Sequence, residues 1–323
     1  MKMDVPDLAV EAHELRKRFG ETLAADGISL SVPSGTVFGL LGPNGAGKTT
    51  TVRMLTTLLA PDSGTARVAG YDVVTQSLEV RRNIGLVGQY ASVDELLSGR
   101  QNLFMIGRLH GFSARDAKAR AGELLERFDL TAPGNKPVST YSGGMRRRLD
   151  LAVSLVVKPP VLFLDEPTTG LDPSGREATW EVIADMTRGG TTVLLTTQYL
   201  DEADRFADRV AVIDHGRVVA EGTPANLKTR VGRAMLGIAL GEPFTEDALR
   251  EIASPFALTP PFIRGTELMV PLRELTVTAD LMAALAEAGV SLNDVSVVKP
   301  SMDDVFFELT GQHSVDAEME PAA

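Results

Sequence analysis

Cysteine is absent from all 323 residues. That excludes disulfides, thiolate metal sites and cysteine nucleophiles. Nowhere do 18 apolar residues run together: the densest stretch, Leu151 to Leu164, is broken by Ser154, Lys158, Pro159 and Pro160. A membrane-crossing helix is therefore not expected, and any membrane role must pass through a partner. Met1 to Gly20 lacks the apolar core of a secretion signal, so a secreted chain is not expected either. Positive charge is scarce, with 32 basic against 43 acidic residues and a net charge of −11. That balance favours solubility and weighs against broad nucleic-acid binding, although a local basic patch would survive the average. There is no internal repeat. Hydrophobic content of 44% and charged content of 23% suit an ordinary globular protein, and the length allows about two domains.

The chain reads as two unequal parts. From about Leu8 to Arg230, short β-branched runs alternate with helical patterns, the signature of a largely parallel sheet with helices on its faces. Thr36 to Leu41 reads as a buried strand, Lys48 to Leu59 as the helix after it, and Ile84 to Gly88 as a further strand. Gln101 to His110, Ser113 to Phe128 and Gly144 to Val157 read as helices, followed by a strand over Val161 to Leu164. Pro173 to Thr187 is a helix opened by proline, Thr191 to Thr196 a strand, and Val210 to Ala220 a hairpin around His215-Gly216. After Arg230, alternating segments (Ala234 to Leu240, Glu267 to Pro271, Asp294 to Val298) frame two helical stretches, Thr245 to Ser254 and Val277 to Ala288. These predict a small α+β domain over 231–312, ending in an amphipathic helix that buries Val305, Phe306 and Leu309. The acidic stretch 313–323 has no periodicity and reads as a disordered tail.

Between two of these elements lies Gly42-Pro43-Asn44-Gly45-Ala46-Gly47-Lys48-Thr49. ATP carries about four negative charges, and this segment supplies the means to hold them. Glycines let successive N–H groups turn onto the phosphates, and the helix beginning at Lys48 adds its positive end. Lys48 would reach the β- and γ-phosphates, and the Thr49 hydroxyl would ligate Mg²⁺. Downstream, Leu162-Phe163-Leu164-Asp165-Glu166 puts a carboxylate at the carboxyl edge of the sheet, where ligands of such sheets bind. Asp165 is placed to hold the metal through water, and Glu166 to polarise the attacking water as a general base.

With Tyr141-Ser142-Gly143-Gly144-Met145 between those motifs, residues from about Leu8 to Arg230 resemble the nucleotide-binding domains of ABC transporters. The resemblance implies an α/β fold of the P-loop NTPase type, a nucleotide-binding domain over 1–230 with a mixed sheet core and a helical subdomain at about 90–160. It implies ATP and Mg²⁺ as ligands, with ATP held by Gly42, Pro43, Asn44, Gly45, Ala46, Gly47, Lys48, Thr49 and Thr50. Phe19 resembles the ring that stacks on adenine, though it also reads as a core aromatic. Gln89 resembles the glutamine that touches Mg²⁺ and water, though an exposed polar cap is its plainer reading. Ser142, Gly143 and Gly144 resemble the signature that caps ATP held by the opposite subunit. Asp172, in Gly170-Leu171-Asp172-Pro173, resembles the acid that crosses between subunits, and it also reads as a helix N-cap.

Gln198 stands where that family usually has histidine. An amide can hydrogen-bond a phosphate but cannot carry a proton, so turnover is expected to rest on Glu166. The closing segment Pro300 to Gly311, together with Gly88 to Glu95 and Ser142 to Asp150, is similar to exporter ATPases of the daunorubicin-resistance type. The resemblance implies a head-to-tail homodimer around two ATP and a separate membrane permease that exports a hydrophobic drug, antibiotic or lipid. It places the chain peripherally on the cytoplasmic face of the membrane. Tyr90 to Gly111 is the expected surface for the permease. An alternative is a soluble ABC-type ATPase acting on nucleic acid or ribosomes; such proteins usually carry two cassettes, a coiled coil or a zinc insertion. Arginines at 146, 147 and 148 spread over about 200° of a helix and cannot form one nucleic-acid stripe. One is expected to face the phosphates or the dimer partner, and the others to pair with acids.

Overall fold

The computed structural model describes residues 7–88, 93–231, 235–240, 246–264, 267–272, 275–290, 292–298 and 300–310. The chain forms two compact units, Met1–Pro224 and Ala225–Ala323. The first runs β1 (Leu8–Phe19), β2 (Thr22–Pro33), β3 (Val37–Leu41), α1 (Lys48–Leu55), β4 (Ser63–Val68), β5 (Tyr71–Asp72), α2 (Ser77–Arg82), β6 (Ile84–Val87), α3 (Gly99–Leu109), α4 (Ala114–Arg127), α5 (Gly143–Ser154), β7 (Val161–Asp165), α6 (Pro173–Arg188), β8 (Thr192–Thr197), α7 (Leu200–Phe206), β9 (Arg209–Asp214) and β10 (Arg217–Gly222), and α8 (Pro224–Val231) follows.

Six strands form one sheet in the order β10-β9-β3-β8-β7-β6. The pairs β3–β8, β3–β9, β7–β8 and β6–β7 are parallel. The three strands β3, β7 and β8 are buried along their whole length, because both faces are covered, and that explains their unbroken apolar runs. On one face, Phe38, Leu40, Phe163 and Leu194 share a core with Val52, Met54 and Leu55 of α1 and with Val10, Leu15, Ile28 and Val32 of a second sheet. Residues on the other face alternate with these. Nearby, Trp180 of α6 stacks on Phe206 of α7 with ring centroids 4.4 Å apart.

The second sheet, β2-β1-β4-β5, is antiparallel and, beside the largely parallel sheet read from the β-branched runs, makes up the mixed sheet core expected. Its alternation is hard to see because register shifts interrupt β1 near Ala12 to Lys17, where His13, Glu14, Arg16 and Lys17 crowd the sequence. Between β6 and β7 the described residues form three helices joined by turns: α3, α4 and α5 pack on one another around Leu103, Ala117, Ala121, Leu124 and Leu149.

The second unit has an antiparallel sheet, β12-β13-β11-β14, made of β11 (Met235–Leu240), β12 (Phe262–Arg264), β13 (Glu267–Pro271) and β14 (Leu292–Val298). Helices α9 (Glu246–Ala253) and α10 (Thr278–Glu287) cover it, with Leu249, Ala253, Leu281 and Leu285 against Leu236, Ile238, Leu268 and Val270. The last helix, α11 (Met302–Thr310), buries Met302, Val305 and Phe306. Leu309, expected in that set, is only half-buried, since the inward stripe starts one turn earlier. The stretch 313–323 lies outside the described residues.

Candidate functional site

The sheet order brings most of the chemistry to one edge. Four parallel strands lie side by side, and their carboxyl ends fall in step: Leu41 pairs with Thr197, Thr196 with Asp165, and Leu164 with Val87. The loop 42–47, Gln198 and the Asp165-Glu166 pair therefore leave the sheet together. The strand leading toward Gln89 ends at the same edge, although Gln89 itself lies outside the described residues.

The loop 42–47 enters α1 directly, with left-handed Gly47 at φ 106° as the residue before the helix. A side chain there would put its Cβ 2.3 Å from the Ala24 carbonyl oxygen, and one at Gly42 would meet the Ile213 carbonyl oxygen at 2.2 Å. Only glycine lets the loop pack this tightly. Asn44 and Gly45 at its crest are exposed, and Thr50, one residue into the helix from Thr49, is half-buried. The Lys48 ammonium donates to the carbonyls of Gly42 (2.7 Å) and Pro43 (3.0 Å). Burial lowers its proton affinity, while Glu166 and Asp165 oppose that shift. Lys48 is thus held within the loop, in the electrostatic field of both acids.

Thr49 Oγ1 donates to Asp165 Oδ1 at 3.2 Å. A hydroxyl and a carboxylate converging in this way match the oxygen donors of a hard divalent cation, which for Mg²⁺ keeps water and phosphate as further ligands. The same Asp165 oxygen accepts from Thr196 Oγ1 at 2.6 Å, and Thr196 Oγ1 accepts from the Glu166 N–H at 2.9 Å. One threonine thus orients both acids. Glu166 sits at φ 50°, a left-handed conformation that costs a non-glycine residue about 1–3 kcal/mol and is characteristic of functional turns. Its Oε2 accepts from Thr169 Oγ1 at 3.3 Å. Gln198 directly follows β8 and is half-buried.

Ser142, Gly143, Gly144 and Asp172 are brought together elsewhere. They line a pocket of about 460 Å³ with Met145, Arg148 and Gly175, and no residue of the loop 42–49 borders it. Ser142 caps α5, accepting from the Met145 N–H at 3.3 Å, so the helix presents its positive end there. Added Cβ atoms at Gly143 and Gly144 would meet nothing within 4 Å, which leaves their backbones open to a ligand. Asp172 does cap α6, accepting from Gly175 N–H (3.0 Å) and Ser174 Oγ (2.9 Å). Those two bonds, the hydroxyl first, hold its carboxyl below the usual range. Phe19 ends β1 half-exposed, with Lys17 Nζ 6.0 Å from its ring centroid; it is a surface ring, not a core one.

The arginine triplet points three ways, and Arg148 also lines the pocket of Ser142 and Asp172. Arg146 pairs with Glu95 at 2.9 Å and Arg148 with Asp129 at 3.5 Å. Arg147 turns inward to the carbonyls of Gly88, Glu166 and Pro167 and lies 3.6 Å from the Asp150 carboxylate. Sequence reasoning also missed Thr196, whose signal was a hydroxyl directly after the apolar run Val193-Leu194-Leu195. Arg147 carried a weaker signal: it lies four residues before Leu151, on the buried face of α5.

Glu202 was missed as well. It is buried on α7 and accepts from Thr168 Oγ1 at 2.7 Å. Burial pushes its carboxyl up, opposed by that hydrogen bond. With the folded value above the unfolded one, its contribution to stability is full below the unfolded carboxylate range and is lost as pH rises through the folded value. Glu202→Gln is expected to flatten the fall in melting temperature on the basic side of that range; an unchanged pH profile would contradict the assignment.

Residues 25–169 match the ABC transporter family. The chain is 51% identical over 98% of its length to the daunorubicin resistance ATP-binding protein DrrA2 of Streptomyces coeruleorubidus, spanning 99% of that protein. It is 48% identical to the daunorubicin/doxorubicin resistance ATP-binding protein DrrA of Streptomyces peucetius, over 98% of this chain and 97% of that one. Among solved structures, cbiO1 from Clostridium perfringens, part of the ABC transporter complex cbiONQ, aligns with a TM-score of 0.64 and 28% identity, over 69% of this chain and 91% of that one. With the loop 42–49 and the Asp165-Glu166 pair at one sheet edge and relatives spanning nearly its whole length, the chain belongs to the ATP-binding subunits of the ABC transporter family and is an ATPase.

Proposed function

We propose that two copies of this chain close head-to-tail on two Mg-ATP and so drive a separate membrane permease that exports a hydrophobic drug, antibiotic or lipid. The observation that carries this reading is the separation of Ser142 to Gly144 and Asp172 from the loop 42–49 of the same chain. Donors in a pocket that the loop 42–49 of the same chain does not line have a use when a second copy supplies the other half. In this reading Phe19 stacks on adenine, the loop 42–49 with Thr50 holds the phosphates, and Thr49, Asp165 and Gln89 hold Mg²⁺. The metal, when bound, neutralises charge that develops on the phosphates. Glu166 takes the proton of the attacking water. Gln198 hydrogen-bonds the γ-phosphate, and Ser142 to Gly144 close over the phosphate held by the partner.

Membrane location follows from the partner, since among the described residues no helix is long and apolar enough to cross a bilayer. The permease would dock on the helical segment, where Leu96, Phe104, Met105 and Leu109 are exposed. Such a row of apolar side chains suits burial against another protein. The names of the relatives support drug export as the cargo class. Co-purification with a six-span permease, and ATPase activity raised by a hydrophobic drug, are the expected results. A free soluble chain whose turnover rises with nucleic acid would overturn the reading.

The glutamine at 198 gives this site its own pH behaviour. An amide has no ionisation near neutrality, so turnover should lack the limb at about pH 6–7 that an imidazole adds. Gln198→His is expected to introduce that limb, visible in kcat against pH. If Gln198→Ala left kcat and KM unchanged, its contact with phosphate would be ruled out.

A further inference from the structure

Arg147 has a role that the site above leaves unassigned. It belongs to α5, whose first turn is Gly143-Gly144-Met145 and whose cap is Ser142. Its side chain runs from that helix into the catalytic edge and is nearly nine-tenths buried. Nε donates to the Pro167 carbonyl at 2.8 Å and Nη1 to the Gly88 carbonyl at 2.9 Å. Nη2 donates to the carbonyls of Glu166 (3.2 Å) and Asp165 (3.4 Å). The Asp150 carboxylate, one turn along the helix, lies 3.6 Å from Nη1 and balances the charge.

Three consecutive carbonyls, at 165, 166 and 167, therefore converge on one guanidinium. They converge because the chain turns sharply at left-handed Glu166. Carbonyl dipoles aimed at one point repel one another unless a cation sits there. The fourth carbonyl, that of Gly88, directly follows strand β6, the neighbour of β7 in the sheet. Arginine alone among the side chains has the planar fork that reaches several acceptors in fixed directions; a lysine ammonium is a point donor.

We propose that Arg147 is a positioning residue that ties the signature helix to the catalytic strand ends of its own subunit, so that seating Ser142 to Gly144 on the partner's ATP is transmitted to Glu166. The proposal rests on the two-copy reading of the site. In each subunit α5 faces one nucleotide while Arg147 holds the turn serving the other, which makes the two sites cooperative. The coupling is mechanical: a shift of α5 along its axis carries the Glu166 turn with it through three hydrogen bonds, and the end of β6 through the fourth. Arg146 and Arg148, its neighbours on the surface, have no such connection to the Glu166 turn.

The test uses the full chain with Arg147→Lys and Arg147→Gln, and Arg146→Gln as the control. Melting temperature, ATP affinity, kcat and the Hill coefficient for ATP are measured on each. The wild type should show a Hill coefficient above 1, approaching the number of sites. Both Arg147 variants should keep ATP affinity within about twofold, lose about tenfold or more in kcat, and fall to a Hill coefficient near 1. Lysine should not rescue, and Arg146→Gln should match the wild type. Wild-type kcat and cooperativity in Arg147→Lys would overturn the tie, because charge alone would then suffice. So would loss of ATP affinity and melting temperature in parallel with kcat in both variants, which would reduce Arg147 to packing. The underlying two-copy reading fails separately, if Glu166→Gln stays a single chain with ATP bound, whatever Arg147 does.

Discussion

Replacing Glu166 with glutamine is expected to slow ATP turnover by about 10²- to 10⁴-fold, the range for loss of a general base, while ATP affinity stays within about twofold. The two effects separate because they sit on different elements. In the proposed site, affinity rests on the loop 42–49 and the start of α1, where Lys48 is fixed by the Gly42 and Pro43 carbonyls. Proton abstraction needs a carboxylate just past β7, and the Glu166 backbone is held there by Thr196 and Arg147 whatever its side chain. Glutamine keeps the size and the acceptor for Thr169 but cannot take a proton. Single-turnover assays with bound nucleotide measured separately will check this. Turnover within threefold of wild type would move the base to another residue.

Ser142→Arg is expected to abolish turnover, by at least about 10²-fold, without weakening ATP binding at Lys48. The serine is the exposed cap of α5, and the pocket beside it is lined by glycine backbone with open space. An arginine there fills the space that the proposed reading gives to the partner's phosphate, and it removes the cap. Losing the cap costs about 1 kcal/mol, too little to unfold a unit of this size, so the effect should lie in closure. In a mixture with wild-type chains, activity should fall according to the fraction of mixed pairs. A fully active Ser142→Arg would show that the signature does not meet nucleotide.

Much of the catalytic edge is legible in the sequence, for a physical reason. A central parallel strand is covered on both faces, so β3, β7 and β8 are short apolar runs whose polar punctuation marks the site: glycines after Leu41, acids after Leu164, threonine and glutamine after Leu195. The antiparallel sheet is not legible, since β1 carries a dense charge run and shifts register where its alternation is read. Arg147 and Glu202 escape for another reason. On a helix, charged residues normally face water, and only the fold reveals that carbonyls or a threonine hydroxyl await them inside. The pocket shared by Ser142 and Asp172 could not be read either, because 30 residues separate them and no periodicity links their positions. Resemblance to a family gave each a separate role at the subunit interface, and the structure brings both to one pocket.

The central claim is that one chain cannot complete its own site and that ATP brings in a second copy. Light scattering on Glu166→Gln, purified without nucleotide and then given Mg-ATP, tests it directly. The mass should double on adding ATP and return to that of one chain when the nucleotide is removed, and the Glu166→Gln/Ser142→Arg double variant should bind ATP and stay single. A Glu166→Gln protein that binds ATP yet keeps the mass of one chain at all concentrations would contradict the account.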